Sequence, residues 1–163
     1  MQTVLITGGS GFIGSNFIPY FLNQNPTFQL VNLDSLTYAA NPDNLSEIEH
    51  HERYIFVKGD ICDRELVTHL FEKYHFQSVI HFAAESHVDN SIKNPDTFIK
   101  TNIFGTFVLL DVAKNCWIEN ANHPKKGFEN ARFHHISTDE VYGALGETGY
   151  FSEETPYAPN SPY

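Results

Sequence analysis

Basic side chains are scarce: 10 Lys and Arg stand against 20 Asp and Glu in 163 residues, a formal net charge of −10. Such a surface offers no basic stripe to neutralise a phosphate backbone, which excludes nucleic-acid binding as the main task. Any phosphate held here must be held by backbone N–H groups and helix ends. Cysteine is nearly absent as well, and the two present, Cys62 and Cys116, lie far apart in helix-like patterns. They read as free thiols and not as a disulfide scaffold. No run approaches the ~20 apolar residues of a bilayer span. Residues 1–7 pass directly into a glycine turn with no cationic leader, and the chain is expected to be cytoplasmic.

What is present is the composition of a globular protein, 41% hydrophobic and 18% charged, with 14 Phe and 8 Tyr to fill a core. The length suits one domain. Residues 3–7, 28–33, 54–57, 78–83 and 132–138 read as strands, the second ending at Asp34. Residues 12–22, 63–74 and 95–117 carry apolar side chains at helical spacing. Pro19 predicts a kink in the first of these helices, and Asp63 is placed to cap the second. A short helix is expected after Pro42, and residues 123–130 and 143–163 read as loops. Strands separated by helices imply right-handed crossovers and a parallel sheet covered on both faces. The fold class expected is α/β, a Rossmann-type doubly wound sheet of order 3-2-1-4-5 that ends after its fifth strand.

The chemistry begins where the first strand meets the first helix. Gly8, Gly11 and Gly14 form G-x-x-G-x-x-G, and Gly9 with Gly11 and Gly14 also satisfies G-x-G-x-x-G. Between a strand and a helix, such glycines let the backbone approach a pyrophosphate at a helix N-terminus. Asp34 stands twenty residues beyond Gly14, at the end of the second strand. A carboxylate there accepts from both ribose hydroxyls of NAD and repels the 2′-phosphate of NADP. A tight turn and a capped helix without a ligand is the plainer alternative.

Several further segments carry a resemblance: Leu33-Asp-Ser-Leu-Thr-Tyr-Ala39, Gly59-Asp-Ile-Cys-Asp63, His81-Phe-Ala-Ala-Glu-Ser-His-Val-Asp89, Thr101-Asn-Ile-Phe-Gly-Thr106, His134-His-Ile-Ser-Thr-Asp-Glu-Val-Tyr-Gly143 and Tyr157-Ala-Pro-Asn-Ser-Pro-Tyr163. With Thr7-Gly-Gly-Ser-Gly-Phe-Ile-Gly14 they resemble the extended short-chain dehydrogenase/reductases and, within them, the dTDP-glucose 4,6-dehydratases. The likeness spans the whole chain. Thr138-Asp139-Glu140 is its most specific part, because related epimerases carry small or hydroxyl residues in place of the Asp-Glu pair. The resemblance implies NAD as cofactor and dTDP-glucose as substrate. It places Phe12 and Ile13 along the cofactor, Asp34, Ser35, Leu36 and Thr37 around the adenosine ribose, and Asp60 and Ile61 by the adenine. Phe82, Ala83, Ala84, Glu85 and Thr101 would also line the cofactor, and Ser86 would touch substrate. Asn90 departs from the family's Arg after His-Val-Asp.

The reaction so implied is oxidation at C4, loss of water across C5 and C6, and hydride return to C6. Asp139 would be the acid for the C6 hydroxyl, Glu140 the base for the C5 proton, and Thr138 a hydrogen-bond partner for the sugar. Such a pair needs one carboxyl held protonated. Neighbours on a strand face opposite ways, so both reach one pocket only if the chain leaves extended geometry at Asp139. Ser137-x-x-Glu140 also has the pattern of a capping box. Tyr163 matches the family's tyrosine base, which relies on a lysine four residues later, beyond this sequence, to ionise. Without that partner it reads equally as a frayed terminal aromatic. The expectation is therefore an N-terminal NAD-binding domain, residues 1–163, lacking a C-terminal substrate lobe and inactive or very weak alone.

The rival readings are a UDP-sugar 4-epimerase, a UDP-glucose 4,6-dehydratase and a non-catalytic NAD-binding module. His81, His87, His134 and His135 read as core or strand-end histidines, His50-His51-Glu52 as a solvated loop, and no metal site is expected. Family members dimerise partly through the helix placed at 95–117. Phe98, Ile103 and Phe107 are accordingly expected to be exposed, with a homodimer for the parent protein and self-association for this chain.

Overall fold

A computed structural model describes residues 1–121 and 123–163 of the chain. Its strands are β1 (Gln2–Thr7), β2 (Phe28–Asp34), β3 (Tyr54–Lys58), β4 (Ser78–His81), β5 (Ile118–Asn120), β6 (His123–Pro124) and β7 (Arg132–His135). The α-helices are α1 (Phe12–Gln24), α2 (Arg64–Tyr74), α3 (Val88–Lys93), α4 (Pro95–Phe98) and α5 (Thr106–Trp117). Five strands form one sheet of order β3-β2-β1-β4-β7, every pair parallel. The order expected from sequence is the order found.

Alternation along the strands builds two cores, one on each face. Leu5, Val31, Leu33 and Val79 pack with Val67, Phe71, Val108 and Trp117 of α2 and α5. Val4, Ile6 and Leu30 turn the other way, onto Ile18 and Leu22 of α1. Trp117 fixes the end of α5 by donating its indole N–H to the Phe76 carbonyl at 2.7 Å. Asp63 caps α2 as expected, its carboxylate accepting from the Leu66 amide at 3.0 Å.

Pro19 lies inside α1, which spans Phe12 to Gln24, and is itself exposed. Four local expectations are corrected. The fourth and fifth long strands stop at His81 and His135, not at 83 and 138. One further bond follows each, from Phe82 N to Thr7 O at 2.9 Å and from Ile136 N to His81 O at 3.0 Å. Pairing then ends because β1 turns away at Gly8. The helix at 95–117 is not uniform, since Ile99–Gly105 between α4 and α5 is a π-helical turn. Finally, the loop at 123–130 begins with β6, which pairs antiparallel with β5, and Cys62 lies in the turn before α2 and not in a helix.

Candidate active site at the carboxyl edge of the sheet

Gly8, Ser35, Asp60, Phe82 and Ser137 follow β1, β2, β3, β4 and β7, so a parallel sheet carries all the candidate segments to one edge. Between β1 and β4 the strand order reverses, and this is where doubly wound sheets open a crevice for ligands.

The turn after β1 is built for close approach. Gly8 sits at φ +71, and a Cβ there would lie 2.5 Å from the Ala83 nitrogen. Gly14 presses on the same turn, a Cβ there reaching 2.6 Å from the Gly8 carbonyl oxygen. Gly11 differs, because its added Cβ would meet only the Gly8 oxygen, at 3.4 Å. Internal packing therefore requires glycine at 8 and 14. At Gly11 the open side is what a pyrophosphate would occupy. Gly11 is also the N-cap of α1 and gives it no side-chain cap, leaving the first amides of the helix for an anion. Phe12 and Ile13 are exposed at this helix start.

Asn32, missed from sequence, holds the turn from below. Its buried side chain accepts from the Gly9 amide at 3.1 Å and donates to the hydroxyls of Ser10 and Tyr54, at 3.3 and 3.0 Å. A lone Asn inside an apolar strand, two residues before Asp34, was the available signal. Asp34 is buried, one carboxylate oxygen accepting from Ser10 N at 2.9 Å and the other from Leu36 N at 2.8 Å. Each oxygen keeps a lone pair for a ribose hydroxyl. Leu36 takes φ +55, a left-handed geometry that a leucine holds only when its surroundings impose it. Ser35 and Thr37 flank it, exposed. Beyond β3, the exposed Asp60 closes its own turn by accepting from Cys62 N at 2.8 Å. Ile61 is buried under Gly105, where a Cβ would come within 2.6 Å of it.

After β4, Phe82 packs on Phe17 with ring centroids 5.3 Å apart, and Ala84 and Ser86 are exposed. Glu85 is gripped at its backbone by Asn102 of the π turn. Its N–H donates to Asn102 Oδ1 and its carbonyl accepts from Asn102 Nδ2, both at 2.9 Å. Thr101 is half-buried beside Asn102 in that turn. His81 is buried between the hydroxyls of Thr7 and Thr106, and burial with the nearby His135 pushes it down to about 4. His134 and His135 are exposed, and His87 is the N-cap of α3. Among the described residues no three His, Cys, Asp or Glu side chains group as metal ligands.

The turn after β7 leaves extended geometry at Asp139, where a 3₁₀ turn, Asp139–Tyr142, begins. Its cap is Thr138, whose hydroxyl accepts from Glu140 N at 3.2 Å. Ser137 is thus not the cap that its spacing to Glu140 suggested, because the turn starts one residue later. Thr138 and Asp139 line a cavity of about 330 Å³ with Tyr142, Phe151 and Glu153. Glu140, exposed, is not one of its walls, so the carboxylate pair does not share this cavity. A larger cavity, about 450 Å³ between α2 and α5, holds none of the sequence candidates.

Tyr163 is half-buried, its ring edge-on to Phe98 at 6.4 Å between centroids. Phe98 is therefore buried, against expectation. Ile103 and Phe107 are exposed as expected. The exposed apolar face consists of Ile99, Ile103, Phe104, Phe107 and Leu110.

These features define a Rossmann-type α/β domain of the short-chain dehydrogenase/reductase kind. Residues 5–163 match the family described as GDP-mannose 4,6 dehydratase, and the chain belongs to that family. It is 52% identical over its full length to a dTDP-glucose 4,6-dehydratase of Haemophilus influenzae, covering 47% of that protein. Two solved structures superpose well. One is a dTDP-glucose 4,6-dehydratase from Bacillus anthracis in complex with NAD, 42% identical with a TM-score of 0.82, matched over 100% of this chain and 46% of that one. The other, from Streptomyces venezuelae with NAD bound, is 40% identical with a TM-score of 0.85, over 99% and 47%. The chain thus spans about half the length of the relatives it matches. Among the described residues no helix is long and apolar enough to cross a membrane.

Proposed function

We propose that residues 1–163 are the NAD-binding domain of a dTDP-glucose 4,6-dehydratase, a lyase that forms dTDP-4-keto-6-deoxyglucose. The observation that carries this reading is the break in extended backbone at Asp139. It sets Thr138 and Asp139 on one cavity at the carboxyl edge, two strands over from β1, which ends at the glycine turn. Relatives that are dTDP-glucose 4,6-dehydratases support it, one 52% identical and two solved with NAD at 42% and 40% identity.

When bound, a nicotinamide supplies the reversible hydride capacity that oxidation at C4 and reduction at C6 require. The residues do the rest. The α1 amides and Gly11 receive the pyrophosphate, and Asp34 receives the adenosine ribose. Tyr163, seated on Phe98, takes the C4 hydroxyl proton, and Thr138 bonds the sugar. Asp139 protonates the departing C6 hydroxyl while Glu140 withdraws the C5 proton, the 4-ketone making that proton acidic. Glu140 is exposed outside the cavity and on this reading reaches the sugar by rotating toward it. The substrate lobe lies outside these residues on this reading, and the chain alone turns over substrate weakly or not at all. A homodimer is supported by the apolar face of α5, and a cytoplasmic site by two free thiols.

The test is to incubate the intact protein separately with dTDP-glucose and UDP-glucose and weigh the products. A product lighter by one water from dTDP-glucose supports the proposal. An isobaric epimer, or no conversion of either sugar, overturns it.

A further inference from the structure

The hydroxyl of Tyr38 donates to Glu85 Oε2 at 3.1 Å, joining segments 47 residues apart. Tyr38 lies in the loop after β2 and Glu85 in the loop after β4, and β1 is the strand between those two. A bond from one loop to the other therefore passes over the carboxyl end of β1, where the glycine turn lies. Both ends are braced. On one side, Asp34 holds the Leu36 amide at 2.8 Å and fixes the left-handed bend that leads to Tyr38. On the other, Asn102 grips the Glu85 backbone from both sides. The Tyr38 ring itself is 65% exposed, so the hydroxyl bond and not packing places it across the opening. Partial burial, then the Glu85 carboxylate, pushes the phenol up, and it stays a donor at neutral pH.

We propose that Tyr38 and Glu85 form a clasp across the mouth of the dinucleotide groove, which slows the escape of a bound dinucleotide. The inference rests on the reading of this groove as the NAD site. Retention suits that chemistry, because hydride leaves C4 and returns to C6 within one turnover and the dinucleotide ends each cycle as it began.

The experiment is a stopped-flow chase on the intact protein: load NADH, displace it with excess NAD⁺, and follow the fluorescence. Tyr38→Phe keeps the ring and removes the bond, and it should release NADH about tenfold faster, the loss expected for one charge-assisted hydrogen bond. Glu85→Ala should show a similar gain, and the double variant should be no faster than the quicker single one, because both remove the same bond. Release from Tyr38→Phe within twofold of the parent, or effects that multiply in the double variant, would overturn the clasp. If the parent itself takes up no NADH, the cofactor reading fails first, and that outcome is distinct from a parent that binds and a variant that releases at the same rate.

Discussion

Thr7 Oγ1 lies 2.6 Å from Nδ1 of His81, a buried contact that ties the last residue of β1 to the last residue of β4. The opposite ring nitrogen meets Thr106 Oγ1 at 3.0 Å. One neutral imidazole thereby joins two strands and the start of α5 just beneath the glycine turn. Folding lowers its pKa from 6.5 to about 4, by burial first and His135 second. The unfolded chain takes up a proton below about 6.5 that the folded chain refuses until about 4. Stability should be full above pH 6.5 and fall between those values, by about 3 kcal/mol at most. Urea titrations from pH 7.5 to 4 should show that slope, and His81→Gln should flatten it. An equal slope in the variant would assign the loss to other groups.

Gly8 and Gly11 should respond differently to alanine. Gly8→Ala forces a Cβ against Ala83 at positive φ, and should cost at least about 2 kcal/mol of stability. Gly11→Ala meets only ordinary contact, so its melting temperature without ligand should hardly move. NAD⁺ affinity by calorimetry should nevertheless fall by about tenfold or more, since the methyl fills the approach to the helix amides.

Asp34→Asn leaves a side chain with one acceptor oxygen facing two amides, Ser10 N and Leu36 N. The orphaned amide should cost about 1–3 kcal/mol. Affinity for NAD⁺ should drop while that for NADP⁺ drops less, because the charge that repels a 2′-phosphate is gone. Titration with both cofactors measures the ratio.

Asp139→Asn and Glu140→Gln should each lower dehydration of dTDP-glucose by about 10²–10⁴-fold in the intact protein. NAD⁺ binding should remain within twofold, because both side chains are exposed and neither supports the glycine turn. A parallel loss of cofactor affinity would mean that they act on the fold and not on the chemistry.

Ile103→Glu and Phe107→Glu place charge on the exposed face of the helical segment that ends in α5. If that face pairs two copies, sedimentation velocity should show the intact parent as a dimer and the variants shifted to monomer. The same change at Phe98 should unfold the region, since Phe98 is buried under Tyr163.

The strand order was legible because each strand is a short apolar run closed by a punctuating residue, and parallel crossovers leave few ways to arrange five of them. The turn at Gly8 to Gly14 was legible because glycines between a strand and a helix mark it directly, and Asp34 was singled out by its place at the end of β2. Asn32, Tyr38 and Asn102 were not, since no such signal marks them and their partners are distant in sequence. The same blindness grouped Phe98 with Ile103 and Phe107: all three are apolar, and the contact with the distant Tyr163 that sets Phe98 apart leaves no mark in the periodicity. Asp139 and Glu140 were singled out as a pair from their motif, yet the turn that presents them starts at Asp139 and is capped by Thr138, a role the spacing assigned to Ser137.

The π turn at Ile99–Gly105 makes the length of this helix as consequential as its composition. Such a turn holds one residue more than an α-helical turn would. Deleting the extra residue would restore regular winding and leave α4 and α5 facing as they do, so the widening is local to this turn. Asn102 lies inside the widened stretch, and its two bonds to the Glu85 backbone are what the length of the turn supports. A lineage could thus gain or lose one codon here and keep the packing of α5, with the hold on Glu85 as the part at stake.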